Sequence, residues 1–288
     1  MRILKYNGIE FSSKSKYVVS EFDTGTTDTS YTDIEYVNRD GSKRTNVFYA
    51  NNQITLNGFI NANNKAEFEV LRRKLIHAIN PKKEIPLYLN SGRIKAFVPG
   101  FASLKWAKQY GNHLQYFTVT FDVPSFYWLS QNVFEKDLLY VNKKISSPFT
   151  FTDDGNGKIF STRDITSNII NNGDESADIK ITLSVKKNDT NQSDSNNMIV
   201  LRNETDKKQL ALNYRLSHGE IITFDMENTS IVSSKNGNII KYIVDVYDSV
   251  RSEFFNIDVG KSLIKCDIAN KNFNGCAILS FREKYRGI

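Results

Sequence analysis

The residues best suited to chemistry are three histidines and two cysteines, and their spacing limits what they can do. His77, His113 and His218 lie far apart in the sequence, and none has a partner at metal-ligand spacing. Cys266 and Cys276 are ten residues apart and lack the Cys-x-x-Cys pair or neighbouring histidine of a zinc site. The sequence therefore predicts no metal site and no cofactor.

The two cysteines flank a predicted hairpin centred near Lys271. Such a hairpin would place Cys266 opposite Cys276, where the two side chains would form a disulfide or half of a metal site. The other interpretation is two buried thiols that act as small hydrophobic side chains. We favour the buried thiols, although the sequence leaves open whether the cysteines are bonded.

Catalytic motifs give little support to an enzyme. The chain contains no phosphate-binding loop, no Gly-x-Gly-x-x-Gly, no His-Glu-x-x-His and no Gly-x-Ser-x-Gly. Carboxylates such as Asp245 and Asp248 are plentiful, but the carboxylate pair of a glycosidase converges in space rather than in sequence. We therefore expect a non-enzymatic protein without catalytic residues, and keep a hydrolase as the alternative.

An aromatic cluster at Pro124–Trp128 has two interpretations. It forms either an exposed platform for a ligand or a packed hinge that closes the core of a first domain. We favour the hinge, because clustered aromatic side chains mostly bury their area.

Charge and hydropathy exclude two further classes of protein. The net charge is +6 over 288 residues, and the basic residues are scattered in runs of two or three. A nucleic-acid-binding surface usually concentrates its basic residues, so we expect no sequence-specific binding. The first residues carry no apolar segment of the kind found in secretory leaders, so we expect no such leader, and no segment approaches 18 consecutive apolar residues. We expect a protein that folds in a cytoplasm and does not insert into membranes.

The length predicts two domains, at roughly 150 residues per domain, and we place the boundary near residue 130. Short strands dominate residues 1–130, with hairpin turns at Asn7-Gly8 and Asp40-Gly41. The polar segment Asp23–Thr32 is predicted to be a loop, because it consists almost entirely of Thr, Ser, Asp and Gly.

One helix is predicted at about residues 64–79. Asn63 or Asn64 is suited to the N-cap, and Pro81 marks the end. The helix has one apolar stripe, because apolar residues recur at spacings of three and four: Phe68, Leu71, Leu75 and Ile79.

Residues 131–288 are predicted to be all β. Turn signals separate short apolar segments at regular intervals, which is typical of a sandwich. The polar segment Lys186–Asn197 is predicted to be an exposed loop. The candidate strands are 149–151, 179–185, 198–201, 221–224, 240–244, 263–268 and 277–281.

The order of several passages resembles the distal tail protein (Dit) family of long-tailed bacteriophages. Each passage is weakly specific alone, but together they cover nearly the whole chain in the family's order. The passages are Ile54–Ile60 with Leu71–Leu75, Asp122–Trp128, Asn168–Asp174, Gly219–Asp225 with Asn236–Asn238, Glu253–Gly260 and Tyr285–Ile288.

The resemblance implies a ring-forming protein of the virion, located at the distal end of the tail and assembled in the host cytoplasm. Residues 1–130 would form a β-rich domain with one helix that joins six copies into a homohexameric ring. Residues 131–288 would form a galectin-like β-sandwich at the periphery. The partners implied are the tail tube protein, the tail-tip hub protein, and receptor-binding or other peripheral baseplate proteins. DNA would pass through the ring.

The alternative function is a carbohydrate-binding module that recognises the host cell surface. Both tryptophans, Trp106 and Trp128, fall in the first domain, so the predicted sandwich lacks the indole ring that often stacks on a sugar. The aromatic side chains left for that role are Tyr214, Tyr242 and Tyr247.

Overall fold

A computed structural model describes residues 3–24, 29–37, 40–49, 52–92, 94–139, 166–185, 197–214, 217, 219–243, 252–268 and 275–286. The chain divides into two compact units, Met1–Asn132 with Lys284–Ile288, and Val133–Glu283. Several predictions fall outside the described residues: His218, the strand 149–151, the loop residues 186–196, the side chains of Asp245, Tyr247 and Asp248, and the last two residues.

The first unit is built mainly of strands. Its one described helix is α1 (Lys65–Ala78). Its first ten strands are β1 (Ile3–Tyr6), β2 (Ile9–Phe11), β3 (Tyr17–Asp23), β4 (Thr29–Glu35), β5 (Ser42–Tyr49), β6 (Asn52–Asn61), β7 (Glu84–Asn90), β8 (Lys95–Tyr110), β9 (Leu114–Val123) and β10 (Trp128–Ser130).

Seven of these strands close into a barrel in the order β8-β7-β1-β2-β3-β6-β9, and β9 pairs with β8 again. The closure depends on the length of β8, which pairs with β7 over Lys95–Phe101 and with β9 over Phe101–Tyr110. Phe101 lies opposite both Glu84 of β7 and Asp122 of β9. At the neighbouring Gly100, a Cβ atom would lie 3.0 Å from the Asp122 carbonyl oxygen, so this position favours glycine.

Alternate residues of the barrel strands fill its interior, as the period of two requires. Phe117, Val119, Phe121 and Val123 are all buried on β9, as their spacing predicted. The predicted turn at Asn7-Gly8 also forms, and both residues adopt positive φ between β1 and β2.

The helix matches its prediction closely, since it spans Lys65–Ala78 with Asn64 as the N-cap. The Asn64 side chain accepts a hydrogen bond from the Glu67 amide at 2.9 Å, and the Glu67 carboxylate accepts one from the Asn63 amide at 2.7 Å. This reciprocal cap satisfies two amides that the helix itself cannot. Phe68 and Leu75 anchor the helix in the barrel core.

One hairpin lies outside the nine-stranded sheet of the first unit. Strands β4 and β5 form a separate two-stranded sheet, which we call the arm. The loop predicted for Asp23–Thr32 is therefore wrong at Thr29–Thr32, which belong to β4. The described side chains of β4 are exposed on both faces, so the sequence carries no alternation of apolar and polar residues to reveal the strand.

The second unit is a sandwich of two antiparallel sheets around one core. One sheet has the order β11-β20-β13-β16-β17-β18 and the other β12-β19-β14-β15. The mainly β fold class is confirmed. The strands are β11 (Phe134–Asp137), β12 (Thr166–Asn171), β13 (Ile179–Val185), β14 (Asn197–Asn203), β15 (Lys208–Tyr214), β16 (Glu220–Asp225), β17 (Ser230–Lys235), β18 (Asn238–Tyr242), β19 (Gly260–Ile268) and β20 (Gly275–Phe281).

The last strand, β21 (Lys284–Tyr285), belongs to the first unit. It pairs with β10, with Trp128 opposite Tyr285 and Leu129 opposite Lys284. The sequence analysis assigned all residues after 130 to the second domain. The structure differs because β10 pairs with β8 on one side only, and the chain end supplies the backbone groups that pair with its other side.

Candidate functional site

The structure leaves the two described histidines apart. His77 lies exposed in the last turn of α1. His113 lies exposed in the turn between β8 and β9, where its carbonyl oxygen accepts a hydrogen bond from the Ala62 amide at 3.0 Å. Within the part of the chain that the structure describes, no three His, Cys, Asp or Glu side chains come together in a way that would hold a metal ion.

The predicted opposition of the two cysteines is wrong. Cys266 lies on β19 opposite Leu201, in the four-stranded sheet. Cys276 lies on β20 opposite Ser184, in the six-stranded sheet, and its sulfur is 3.0 Å from the Ser184 hydroxyl oxygen. The chain passes from one sheet to the other between them, so a spacing of ten residues does not make a hairpin here.

Neither cysteine forms a disulfide, which agrees with the interpretation that we favoured. Cys266 is fully buried, and burial raises the pKa of its thiol to about 12, with smaller contributions from Asp267 and Asp137. A thiol with such a pKa stays protonated at neutral pH and is a poor nucleophile and metal ligand. Cys266 is therefore a core side chain, whereas Cys276 is only partly buried.

One buried carboxylate escaped the sequence analysis. Glu220 begins β16 and is 3% exposed. Its oxygens accept hydrogen bonds from the Tyr214 hydroxyl at 2.6 Å, the Ser217 amide at 2.8 Å and the Ser233 hydroxyl. These donors belong to the chain's own strands and turn, so Glu220 fixes the entry to β16. Its position beside Gly219 in a turn was the only sequence signal.

The same contacts bear on carbohydrate binding. Burial raises the pKa of Tyr214, and the hydrogen bond with Glu220 makes a smaller contribution in the same direction. Because its hydroxyl is bonded to Glu220 and its ring packs against the core, Tyr214 does not present a free face to a sugar. Tyr242 is exposed on β18, and Tyr247 lies outside the described residues. The alternative function has therefore lost one of its three candidate side chains.

Two passages of the family resemblance meet in the second unit. Asn171 is 1% exposed, and its amide donates to the carbonyl oxygens of Glu175 at 2.9 Å and Ile257 at 3.2 Å. Its side-chain oxygen accepts from the Gly173 amide at 3.0 Å. The passages Asn168–Asp174 and Glu253–Gly260, distant in sequence, are therefore joined by one buried side chain.

Two other passages meet in the first unit. Phe126 and Trp128 of the Pro124–Trp128 cluster are buried, and Trp128 pairs with Tyr285 near the chain end. Tyr127 is partly buried, with the Lys284 ammonium 5.6 Å from its ring centre. The packing that we favoured over an exposed platform is confirmed for Phe126 and Trp128, and Trp128 belongs to the core of the first unit.

The exposed apolar side chains of the first unit include a group on the barrel and a group on the arm. On the barrel, Tyr116 lies 5.5 Å from Phe59 and 5.8 Å from Tyr110 between ring centres, and both tyrosines are exposed. On the arm, Tyr31, Ile34 and Val37 are 53%, 56% and 95% exposed. Aromatic and aliphatic groups of this kind are typical of protein–protein contacts.

Membrane insertion by a helix finds no support in the described residues. None of their helical segments is both long enough and apolar enough to cross a bilayer.

The barrel and sandwich together form the fold of a distal tail protein. The Dit protein of phage SPP1, described as a paradigm of the hub adsorption apparatus in phages infecting Gram-positive bacteria, aligns over 99% of both chains, with 11% identity and a TM-score of 0.66. A chain of the phage P2 baseplate in its activated conformation aligns over 100% of both chains, with 13% identity and TM-scores of 0.50 with Ca and 0.51 with Sr.

The structural matches are too low in sequence identity to show a family relationship, but a family model does show one. The phage tail protein RIFT-related domain matches residues 7–229, and the chain belongs to this family. The resemblance to siphophage distal tail proteins is therefore confirmed. Among curated proteins, none matches the sequence.

Proposed function

We propose that this protein is a non-enzymatic structural subunit of a phage tail tip, six copies of which form a ring. The correspondence with SPP1 Dit over 99% of both chains carries the proposal, because it covers the barrel and the sandwich together. The family match supports a place in the virion tail, and the P2 relative is part of a baseplate.

The first unit is the ring-forming part. A ring made from one repeated contact needs two different surfaces on each copy, which meet head to tail. The exposed aromatic groups of the barrel and the exposed arm are candidates for such surfaces. The barrel itself supplies a rigid frame, since its strands are hydrogen-bonded around a full circle.

The second unit is the peripheral part, a galectin-like sandwich that receives receptor-binding or other baseplate proteins. Among the described residues, β18 is an edge strand of its sheet, and it exposes Ile239, Ile240 and Tyr242. Exposed apolar edges favour contacts with other protein chains. The ring then connects the tail tube protein on one side with the tail-tip hub protein on the other.

DNA passes through the centre of the ring at ejection. Passage requires weak phosphate contacts, because each tightly bound phosphate would slow the moving strand. The net charge of +6, spread over 288 residues without a basic cluster, is compatible with weak contacts. Assembly takes place in the host cytoplasm, before the virion is released.

Mass measurement of the purified full-length chain tests the proposal. Native mass spectrometry and mass photometry at micromolar concentration should show a species of six times the 33.0-kDa chain mass. The same species should bind purified tube or hub protein of the same phage. A strict monomer that binds neither protein would contradict the proposed function.

A further inference from the structure

We propose that the open edge of β18 in the second unit is a docking site for a partner protein, which adds one extended strand with alternating apolar and acidic side chains. This docking mode rests on the proposed function, in which the second unit receives other tail-tip proteins. The occupant is a strand of a different protein, and its chemistry follows from the side chains of β18.

The edge combines free backbone groups with apolar side chains. β18 ends the six-stranded sheet, and its outer side has no strand partner among the described residues. All five of its side chains are exposed, and Ile239, Ile240 and Tyr242 are exposed by 59%, 57% and 60%. An edge of this kind is a template for a further strand.

Elsewhere the chain covers strand edges with its own residues. In the first unit, β21 pairs with the outer side of β10. In the sandwich, the Glu253 amide donates to the Gln209 carbonyl oxygen of β15 at 2.7 Å. The Ser252 hydroxyl oxygen lies 2.8 Å from the Ala211 amide and 3.1 Å from the Ala211 carbonyl oxygen of the same strand. Among the described residues, β18 has no comparable cover.

The backbone of β18 presents hydrogen-bonding groups to its open side. The Ile243 amide, directly after β18, donates to the Ile231 carbonyl oxygen of β17 at 2.8 Å. Because amides point to alternate sides along a strand, the amide and carbonyl oxygen of Tyr242 point away from β17. A partner strand can therefore pair with Tyr242 as β17 pairs with Ile243.

The outer face of this edge is apolar. Ile239 lies opposite Ser234, and Tyr242 lies opposite Val232. Ser234 and Val232 are both partly exposed on the side of β17 that faces away from the core. A strand added beside β18 would therefore place every second side chain next to Ile239 and Tyr242, where apolar groups would cover them.

The other face of the edge is basic. Lys241 lies opposite Ser233, which is fully buried, and Lys235 lies two residues from Ser233 on the same face. Neither ammonium forms an ion pair with another described residue. The carboxylate opposite Lys235 is Glu220, which is 3% exposed and bonded within its own unit. A partner's acidic side chains would therefore lie beside Lys241.

These charges favour an acidic partner over a second copy of this chain. If two copies paired through β18, both Lys241 side chains would lie on the same face of the joined sheet, where like charges on adjacent strands repel. A lysine on an edge strand commonly protects against such self-pairing. An acidic strand instead gains opposite-charge contacts as well as backbone hydrogen bonds, as in recognition by strand addition.

Two labelled peptides test this docking mode on the full-length chain. Both have nine residues, and one alternates valine with glutamate whereas the other alternates valine with lysine. In fluorescence anisotropy, the glutamate peptide should bind about tenfold more tightly than the lysine peptide, because opposite charges across strands attract and like charges repel.

A charge reversal on the edge should change which peptide is preferred. Lys241→Glu should weaken binding of the glutamate peptide and strengthen binding of the lysine peptide. Lys261→Glu is the matched control, because Lys261 is exposed on β19 of the other sheet and should leave the preference unchanged.

Hydrogen exchange distinguishes strand pairing from a contact through charge alone. The bound glutamate peptide should slow amide exchange in residues 238–242. Tyr242→Pro removes an amide that points to the open side, which an edge strand tolerates, and should abolish binding of both peptides. Circular dichroism checks the fold of this variant, and Lys241→Glu tests the same edge where the proline variant does not fold.

Several results would overturn the docking site while the proposed ring stands. They are no binding of either peptide, equal binding of both, a preference unaffected by Lys241→Glu, and bound peptide without slower exchange in residues 238–242. A self-associated species that the glutamate peptide dissociates would identify a second copy as the occupant and also overturn it. A monomeric chain that binds the glutamate peptide at β18 would contradict the ring and support the docking site.

Discussion

The barrel and the sandwich of this chain are specified in different ways. Among the described residues, buried polar side chains number three in the first unit and seven in the second. The barrel is therefore defined by apolar packing and by closure of its wall. The sandwich, whose sheets do not close on themselves among the described strands, is fixed at its turns by buried groups such as Asn171, Asn203 and Glu220. Substitutions in each unit should distinguish stabilisation by apolar packing from stabilisation by buried polar groups.

The largest expected effect comes from emptying either core. Phe121 and Phe224 are both fully buried, the first in the barrel and the second in the sandwich. Phe121→Ala and Phe224→Ala should each cost about 3–5 kcal/mol of the unfolding free energy of its own unit. Urea titrations would measure this loss of unfolding free energy. Tryptophan fluorescence reports only the first unit, and circular dichroism reports both units.

The two variants control each other. Phe121→Ala should lower the fluorescence midpoint, whereas Phe224→Ala should lower only the dichroism midpoint. If both substitutions shifted fluorescence equally, the units would unfold as one and the comparison would fail.

A smaller effect should follow from removing a polar anchor of the sandwich. Asn203 is fully buried, and its amide donates to Asp206 Oδ2 at 2.6 Å and to the Asn256 carbonyl oxygen at 3.3 Å. Asn203→Ala leaves these acceptors without their donor and should cost about 1–3 kcal/mol. Asn168→Ala, an exposed asparagine of the same unit, is the control and should leave the dichroism midpoint nearly unchanged.

The sandwich should also lose stability in acid through Asp225. Burial alone would raise the pKa of this carboxyl, but hydrogen bonds from Lys180 Nζ at 2.9 Å and from Asn228 outweigh burial and lower it. A group whose folded pKa is depressed stabilises the fold above its unfolded pKa, about 3.9, and loses that contribution as the pH falls through the folded value.

The pH dependence can be measured as the dichroism midpoint in urea between neutral pH and pH 3. Asp225→Asn should lower stability at neutral pH by about 0.5–1 kcal/mol, because the pair with Lys180 is partly exposed. The variant should also flatten the loss below about pH 4. An unchanged pH profile in the variant would show that Asp225 does not contribute.

The smallest effect concerns the thiols, which test the positions of two strands. Cys266 has a pKa raised to about 12 by burial and should resist a thiol reagent until the sandwich unfolds. Cys276 is partly exposed and should be labelled first. Comparing Cys266→Ala with Cys276→Ala assigns the two rates, and equally fast labelling of both cysteines would contradict the burial of Cys266 in the sandwich core.

Local signals in the sequence predicted local structure well. The helix was predicted because its cap, apolar stripe and terminating proline agree, and the Asn7-Gly8 turn was predicted because both residues tolerate positive φ. The apolar alternation on β9 identified its buried face. In each case the information lies within a few residues of the element it specifies.

Features that depend on distant partners were not predictable from one sequence. Closure of the barrel requires β8 to pair with β7 up to Phe101 and with β9 from Phe101 onward, and no residue near Phe101 indicates either partner. The hairpin expected around Lys271 was wrong because spacing does not show which sheet a strand joins. The arm was missed because its exposed faces carry no alternation of apolar and polar residues. The roles of Asn203 and Glu220 were missed because they depend on residues that only folding brings together.

Electron microscopy of the purified full-length chain tests the central claim most directly. Averaged images at micromolar concentration should show six-fold rings with a central opening. Uniform particles of single-chain size, at concentrations where tail components assemble, would contradict the account.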